Sequence, residues 1–117
     1  MGYNAGACKT VGRGGVGESG SSHQVVHQVT GASPQLMVVR TVQTSLCGNT
    51  GAIAVLVVNG ETKAHGNITA DGASIQAEAN PGDWVVAIVH TVPLFNDIVC
   101  IRLGELEFEV QQCELVG

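Results

Sequence analysis

Three groups of residues in this chain have the types and spacing that chemistry requires: a glycine-rich run, four histidines, and four cysteines with an acidic stripe beside the last of them. Gly12-Arg13-Gly14-Gly15-Val16-Gly17-Glu18-Ser19 has the spacing of a phosphate-binding loop. Such a loop needs a lysine to reach the phosphates, and Glu18 stands in that place, where a carboxylate repels them. No hydrophobic strand precedes the run and no helical period follows it, so it reads as a flexible glycine segment and not a nucleotide site.

His23 and His27 lie four residues apart, on one face of either a strand or a helix, and with His65 and His90 they could offer imidazole nitrogens to zinc or copper. Nothing in the spacing brings His65 or His90 to that pair, and neither HExxH nor CxxC occurs. Solvent-facing or hydrogen-bonded histidines are the favoured reading, so no metal and no cofactor is assigned. Glu105, Glu107 and Glu109 form a stripe that could attract a cation but reads as a solvated face whose like charges discourage wrong strand pairing. A Cys–His nucleophile could be assembled from almost any four cysteines and four histidines, which makes it uninformative. No catalytic residue is assigned, and the chain is read as a non-enzyme.

Cys8, Cys47, Cys100 and Cys113 are far apart, which argues against a zinc ribbon or a redox pair. Cys8 lies where no core can hold it. Cys113 shares a strand face with the glutamates and is expected to point to solvent or a partner. Exposed thiols are a liability in a free monomer, so Cys8 and Cys113 read as thiols that meet a neighbouring subunit. Cys47 and Cys100 have more apolar surroundings and read as buried thiols or an internal bridge. Four cysteines allow three fully paired connectivities.

The elements that must position these residues follow from composition and period. The chain has 117 residues, one domain by length, with a formal charge of −5, only 13% charged residues, 44% hydrophobic residues and 16 glycines. Too few basic and aromatic residues are present to neutralise phosphates and stack bases, which argues against nucleic acid. No apolar run of about 18 residues exists to span a membrane. The apolar share also argues against disorder. The opening residues, MGYNAGACKTVGRGG, lack the apolar stretch of a secretory signal peptide. Asn67-Ile68-Thr69 is a sequon of consequence only in a eukaryotic secretory pathway.

Residues 1–21 hold seven glycines and almost no large apolar side chain, so they are predicted to be an arm, and residues 22–117 a β-sandwich domain. His23-Val25-His27-Val29 alternates with Gln24-Val26-Gln28-Thr30, and Leu36 to Val42 follows Pro34. Ala52 to Val58 ends in Asn59-Gly60, a strong hairpin signal, and Glu61-Thr62-Lys63 starts the return. Asp71-Gly72 marks another turn, Ser74 to Ala79 alternates, and Asn80-Pro81-Gly82-Asp83 breaks the pattern before Trp84 to Val92. Ile98 to Leu103 and Glu105 to Leu115 are predicted as the last two strands, separated by Gly104. Seven or eight short strands with no sustained helical period give an all-β sandwich or jelly roll.

A cysteine-bearing arm before a small, charge-poor jelly roll, with a cysteine in each of the last two strands, resembles the subunits of bacterial endospore appendages. The resemblance implies an extracellular or surface-exposed fibre in which the arm of one subunit bonds to its neighbours. Cys8 would serve as the arm thiol and Cys100, in Val99-Cys100-Ile101-Arg102-Leu103, as the late-strand acceptor. That family tends to carry a Cys-Cys pair in the arm, and this chain has Cys8 alone. The expected function is therefore a self-assembling, homopolymeric fibre subunit. The rival readings are a phage virion protein and a small carbohydrate- or metal-binding module using His23, His27 or Trp84.

Overall fold

Valine-rich, period-two segments build eight antiparallel strands, and among the described residues there is no helix. The structure is a computed structural model that describes residues 4–16, 22–44, 52–68, 73–91 and 106–116. In chain order the strands are β1 (Asn4–Val16), β2 (Ser22–Gln28), β3 (Gln35–Thr44), β4 (Ala52–Val58), β5 (Glu61–Ile68), β6 (Ile75–Ala79), β7 (Trp84–Thr91) and β8 (Leu106–Val116). One sheet has the order β1-β8-β3-β6 and the other β2-β7-β4-β5. The pairs β1–β8, β2–β7, β3–β6 and β4–β5 are nested, so the chain is one long hairpin rolled into two layers, the connectivity of a jelly roll. The predicted fold class is the one observed. No helix among the described residues is long and apolar enough to cross a membrane.

Alternation decides what lies between the layers, because successive side chains of a strand point to opposite faces. Ala52, Ala54, Leu56 and Val58 of β4, Ile75, Ala77 and Ala79 of β6, and Val85, Ala87 and Val89 of β7 are all buried. Leu106, Phe108 and Val110 of β8 join Met37 and Val39 of β3 in the same core. The tip of the β4–β5 hairpin has positive φ at both Asn59 (50°) and Gly60 (83°), the backbone a two-residue turn needs to match strand twist. Strands expected at Ala52–Val58, Ser74–Ala79 and Trp84–Val92 appear within one residue of those limits. The strand expected at Ile98–Leu103 and the turn at Asp71-Gly72 lie outside the described residues.

The expectation for the N-terminal segment needs correction. Residues 4–16 are not a free arm but β1, the edge strand of the first sheet, paired with β8 along its length. The domain therefore begins within the segment assigned to the arm. Its glycines serve close approach and not flexibility. A Cβ built on Gly12 would lie 2.3 Å from Val25 Cγ1, and one on Gly14 would lie 2.5 Å from His23 Cδ2. Both glycines face inward, opposite Val110 and Phe108, and let β1 settle onto β2 of the other sheet. Val25 is β-branched and cannot turn aside cheaply. Gly12→Ala is expected to destabilise the fold by about 1–3 kcal/mol through overpacking, read as a lower denaturation midpoint at unchanged m-value.

Candidate functional site

Cys8 and Cys113 face each other across the β1–β8 ladder and form a disulfide within one chain, spanning a sequence separation of 105. This corrects the reading of both as thiols that meet a neighbouring subunit. Register alone explains the pairing, since opposed cysteines on adjacent strands hold their Cβ atoms within bonding reach. Cys113 is also fully buried and not solvent-facing. It lies on the outer side of its sheet, as alternation required, but Leu36 of β3 is directly opposite and is itself fully buried there. Cys47 and Cys100 lie outside the described residues.

The acidic stripe is divided by the same sheet geometry. Glu107 is exposed, whereas Glu109 is only 8% exposed because β8 is a central strand. Arg13 of β1 and Arg40 of β3 are its direct cross-strand partners, at 3.9 and 3.4 Å. The Thr10 hydroxyl donates a 3.0 Å hydrogen bond to the same carboxylate. With two guanidiniums beside it, Glu109 serves as a clasp across three strands and not as a ligand for a cation. Glu105 lies outside the described residues.

His23, Val25, His27 and Val29 do share one face of β2, turned toward the other sheet, but the two histidines have separate tasks. His23 meets Phe108 edge to face, with ring centroids 5.6 Å apart. His27 Nε2 lies 2.8 Å from Gln112 Oε1. Gln112 Nε2 must face the Thr30 carbonyl, to which it donates at 2.8 Å, and this sets the amide orientation. Its oxygen is therefore the group that accepts from His27 and from the Thr30 amide at 3.2 Å, which places the His27 proton on Nε2. Gln112 Nε2 also donates to Gln35 Oε1 at 3.2 Å. Gln112 is 4% exposed, and this network is what makes its burial tolerable. Gln112→Leu would leave the Thr30 carbonyl and amide without these partners. It is expected to cost about 1–3 kcal/mol, measured by chemical denaturation.

Next to this network is an open cavity of about 480 Å³ whose polar lining includes Lys9, Ser33, Gln35, Gln112 and Glu114. Lys9 Nζ donates to Thr30 Oγ1 at 3.0 Å, and Gln35 Nε2 donates to the Ser33 carbonyl at 3.0 Å. The polar groups around the opening are largely engaged with one another. His65 and His90 are exposed and stand on the outward face of the second sheet. Among the described residues no group of three or more His, Cys, Asp or Glu side chains is close enough to hold a metal ion.

Trp84 is 53% exposed at the start of β7. Its backbone N–H donates to Asn59 Oδ1 at 2.9 Å, while Asn59 Nδ2 donates to Asp83 Oδ1 at 3.0 Å. Asp83 Oδ2 also accepts from the Asn80 N–H at 2.9 Å, so the β4–β5 and β6–β7 turns are tied together by one carboxylate. The Asn80 amide and then the Asn59 side chain hold the Asp83 carboxyl below its ordinary value. The charged form is favoured by folding, so its contribution is present above about pH 4 and is lost as pH falls through the lower folded value. Asp83→Asn is expected to flatten the stability profile in that acid range and leave the slope above pH 5 unchanged, measured by urea denaturation from pH 2.5 to 7.

No protein-family model, no curated protein and no solved structure matches the chain. Among the described residues, Cys8 and Cys113 are thus taken up in a disulfide, Glu109 in an ion-pair clasp and His27 in a hydrogen-bond network. Among the described residues, four large apolar side chains are exposed: Val42 on β3, and three on the outward face of β2-β7-β4-β5. Val26 (54%), Ile53 (39%) and Trp84 project from it into solvent. Directly across from Trp84 on this face stands Gln28, whose amide donates to the Gly82 carbonyl at 3.3 Å, and the next outward residue along β7 is Val86. Sequence reasoning missed this face because a β-branched run such as Trp84 to Val92 reads alike whether its second face is covered or bare.

Proposed function

We propose that this chain is a structural subunit that assembles with copies of itself into an extracellular fibre. The observation that carries the reading is the outward face of β2-β7-β4-β5, where Val26, Ile53 and Trp84 are presented to water on strands without Asp, Glu, Lys or Arg. Contiguous exposed apolar surface on a soluble domain marks an interaction site. Two further features agree. The Cys8–Cys113 disulfide belongs to an oxidising compartment. The Arg13–Glu109–Arg40 clasp and that same bond also hold β1, β8 and β3 together within one sheet.

The test is purification in oxidising buffer followed by negative-stain electron microscopy, with light scattering after size exclusion. Filaments, or an oligomer that grows with concentration, are the expected result. A monodisperse monomer at about 100 µM overturns the reading, and a monomer that copurifies only with phage particles selects the virion reading in its place.

A further inference from the structure

The two outer faces of the sandwich differ in kind. Strands β1, β8, β3 and β6 carry seven charged residues: Lys9, Arg13, Arg40, Glu78, Glu107, Glu109 and Glu114. Strands β2, β7 and β4 carry no Asp, Glu, Lys or Arg at all. Charge enters that sheet only at β5, where Glu61 and Lys63 pair with each other at 3.2 Å. Register sets the outward side chains of this sheet in rows. Val26, Val86 and Val57 are opposite one another across three strands. In the next row Ile88 and Val55 lie between Gln24 and His65. Ile53 follows beside His90.

We infer that this face is a homotypic interface, on which a second copy of the chain packs sheet to sheet. The inference rests on the self-assembly reading and names one surface it uses; a two-fold contact closes on itself, so a fibre also needs a second contact elsewhere on the chain. A face with no Asp, Glu, Lys or Arg on three of its four strands gives a charged partner little to recognise, whereas it matches itself without placing like charges together. The geometry is also self-complementary. A two-fold axis running along the strands, between β7 and β4, lays Val86 of one copy over Val57 of the other and Ile88 over Val55. The same rotation brings Gln24 over His65, a polar pair at the rim. Paired sheets pack about 10 Å apart at a shallow angle, and valine and isoleucine rows interdigitate well at that spacing. Four strands at about 4.8 Å and seven residues at about 3.3 Å give a face of roughly 19 by 23 Å, on the order of 440 Å² in projection. Two such faces cover about 900 Å² before side-chain relief is counted, close to the roughly 1,000 Å² at which specific interfaces begin.

The test uses the full chain with its disulfide intact. Wild type is compared with Val86→Lys and Val26→Lys by analytical ultracentrifugation from about 1 to 100 µM, with circular dichroism to confirm folding. Val38→Lys, on the outward side of the other sheet, is the control. Association weakened at least 100-fold by either face variant, with the control unaffected, is the expected result. Mixing Val86→Cys with Val57→Cys chains should also give a cross-linked dimer whose peptide map joins positions 86 and 57. Folded face variants that associate like wild type overturn this interface and leave self-assembly standing. A wild type that is monomeric throughout overturns both. A dimer that cross-links through other positions overturns the packing described here.

Discussion

Cys8→Ser is expected to lower stability by about 2–5 kcal/mol and the melting temperature by roughly 10–20 °C in non-reducing buffer. The bond closes nearly the whole chain into a loop, since its two cysteines are 105 residues apart. Cross-linking restricts the unfolded chain more as the enclosed loop lengthens, and here it also ties the edge strand β1 to the central strand β8. Two controls give the prediction its force. Reductant added to wild type should bring its melting temperature down to that of the variant. Peptide mapping of the unreduced wild-type monomer should recover residues 8 and 113 in one linked fragment. If Cys8→Ser instead removes a covalent multimer and leaves the monomer's stability unchanged, the pairing lies between chains and the intrachain assignment is wrong.

Phe108→Ala should cost about 3–5 kcal/mol, a large share of the roughly 5–15 kcal/mol that holds a domain of this size. Phe108 is fully buried, and Phe is scarce in this chain, which has two. It stands on the inner side of β8 between Gly14 of β1 and Thr41 of β3, with the His23 ring against its edge. The neighbours are held by two flanking ladders and cannot collapse into the void, so the cavity term adds to the lost burial. Phe108→Leu keeps most of the volume and should cost under about 1.5 kcal/mol, measured by urea denaturation. Equal losses for the two substitutions would show that aromatic contact with His23, and not volume, is what the site requires.

The strands were legible wherever one face met the core. Alternation in β4, β6 and β7 and the Asn59-Gly60 turn identify their elements because period two and positive φ are local properties of the chain. The shared face of His23 and His27 follows from the same rule. β1 was not legible, and the reason is physical. Glycine at positions 12 and 14 reads the same whether a segment is loose or pressed against a neighbour. Only Val25 and His23, on another strand, distinguish the two. Cys113 and Glu109 were placed on the correct face of β8 but given the wrong surroundings. A strand's own sequence does not say that it is central, and here Leu36, Arg13 and Arg40 arrive from flanking strands. Gln112 drew no notice at all. A glutamine near a strand end looks like surface until His27, Thr30 and Gln35 converge on it.

The nested pairing has a consequence for the order in which the molecule can be made. Among the described strands β1 is the first to be synthesised, and β8, its ladder partner there, is the last. About 90 residues must follow Val16 before Leu106 exists, which at roughly 5–20 residues per second takes on the order of 5–20 s. Until β8 emerges β1 has no ladder partner, and β3 has none until β6, at Ile75–Ala79, has been made. A waiting strand rich in valine or phenylalanine would recruit other nascent chains. β1 instead carries glycines, Lys9 and Arg13, a composition that keeps an unpaired strand in solution until its partner arrives.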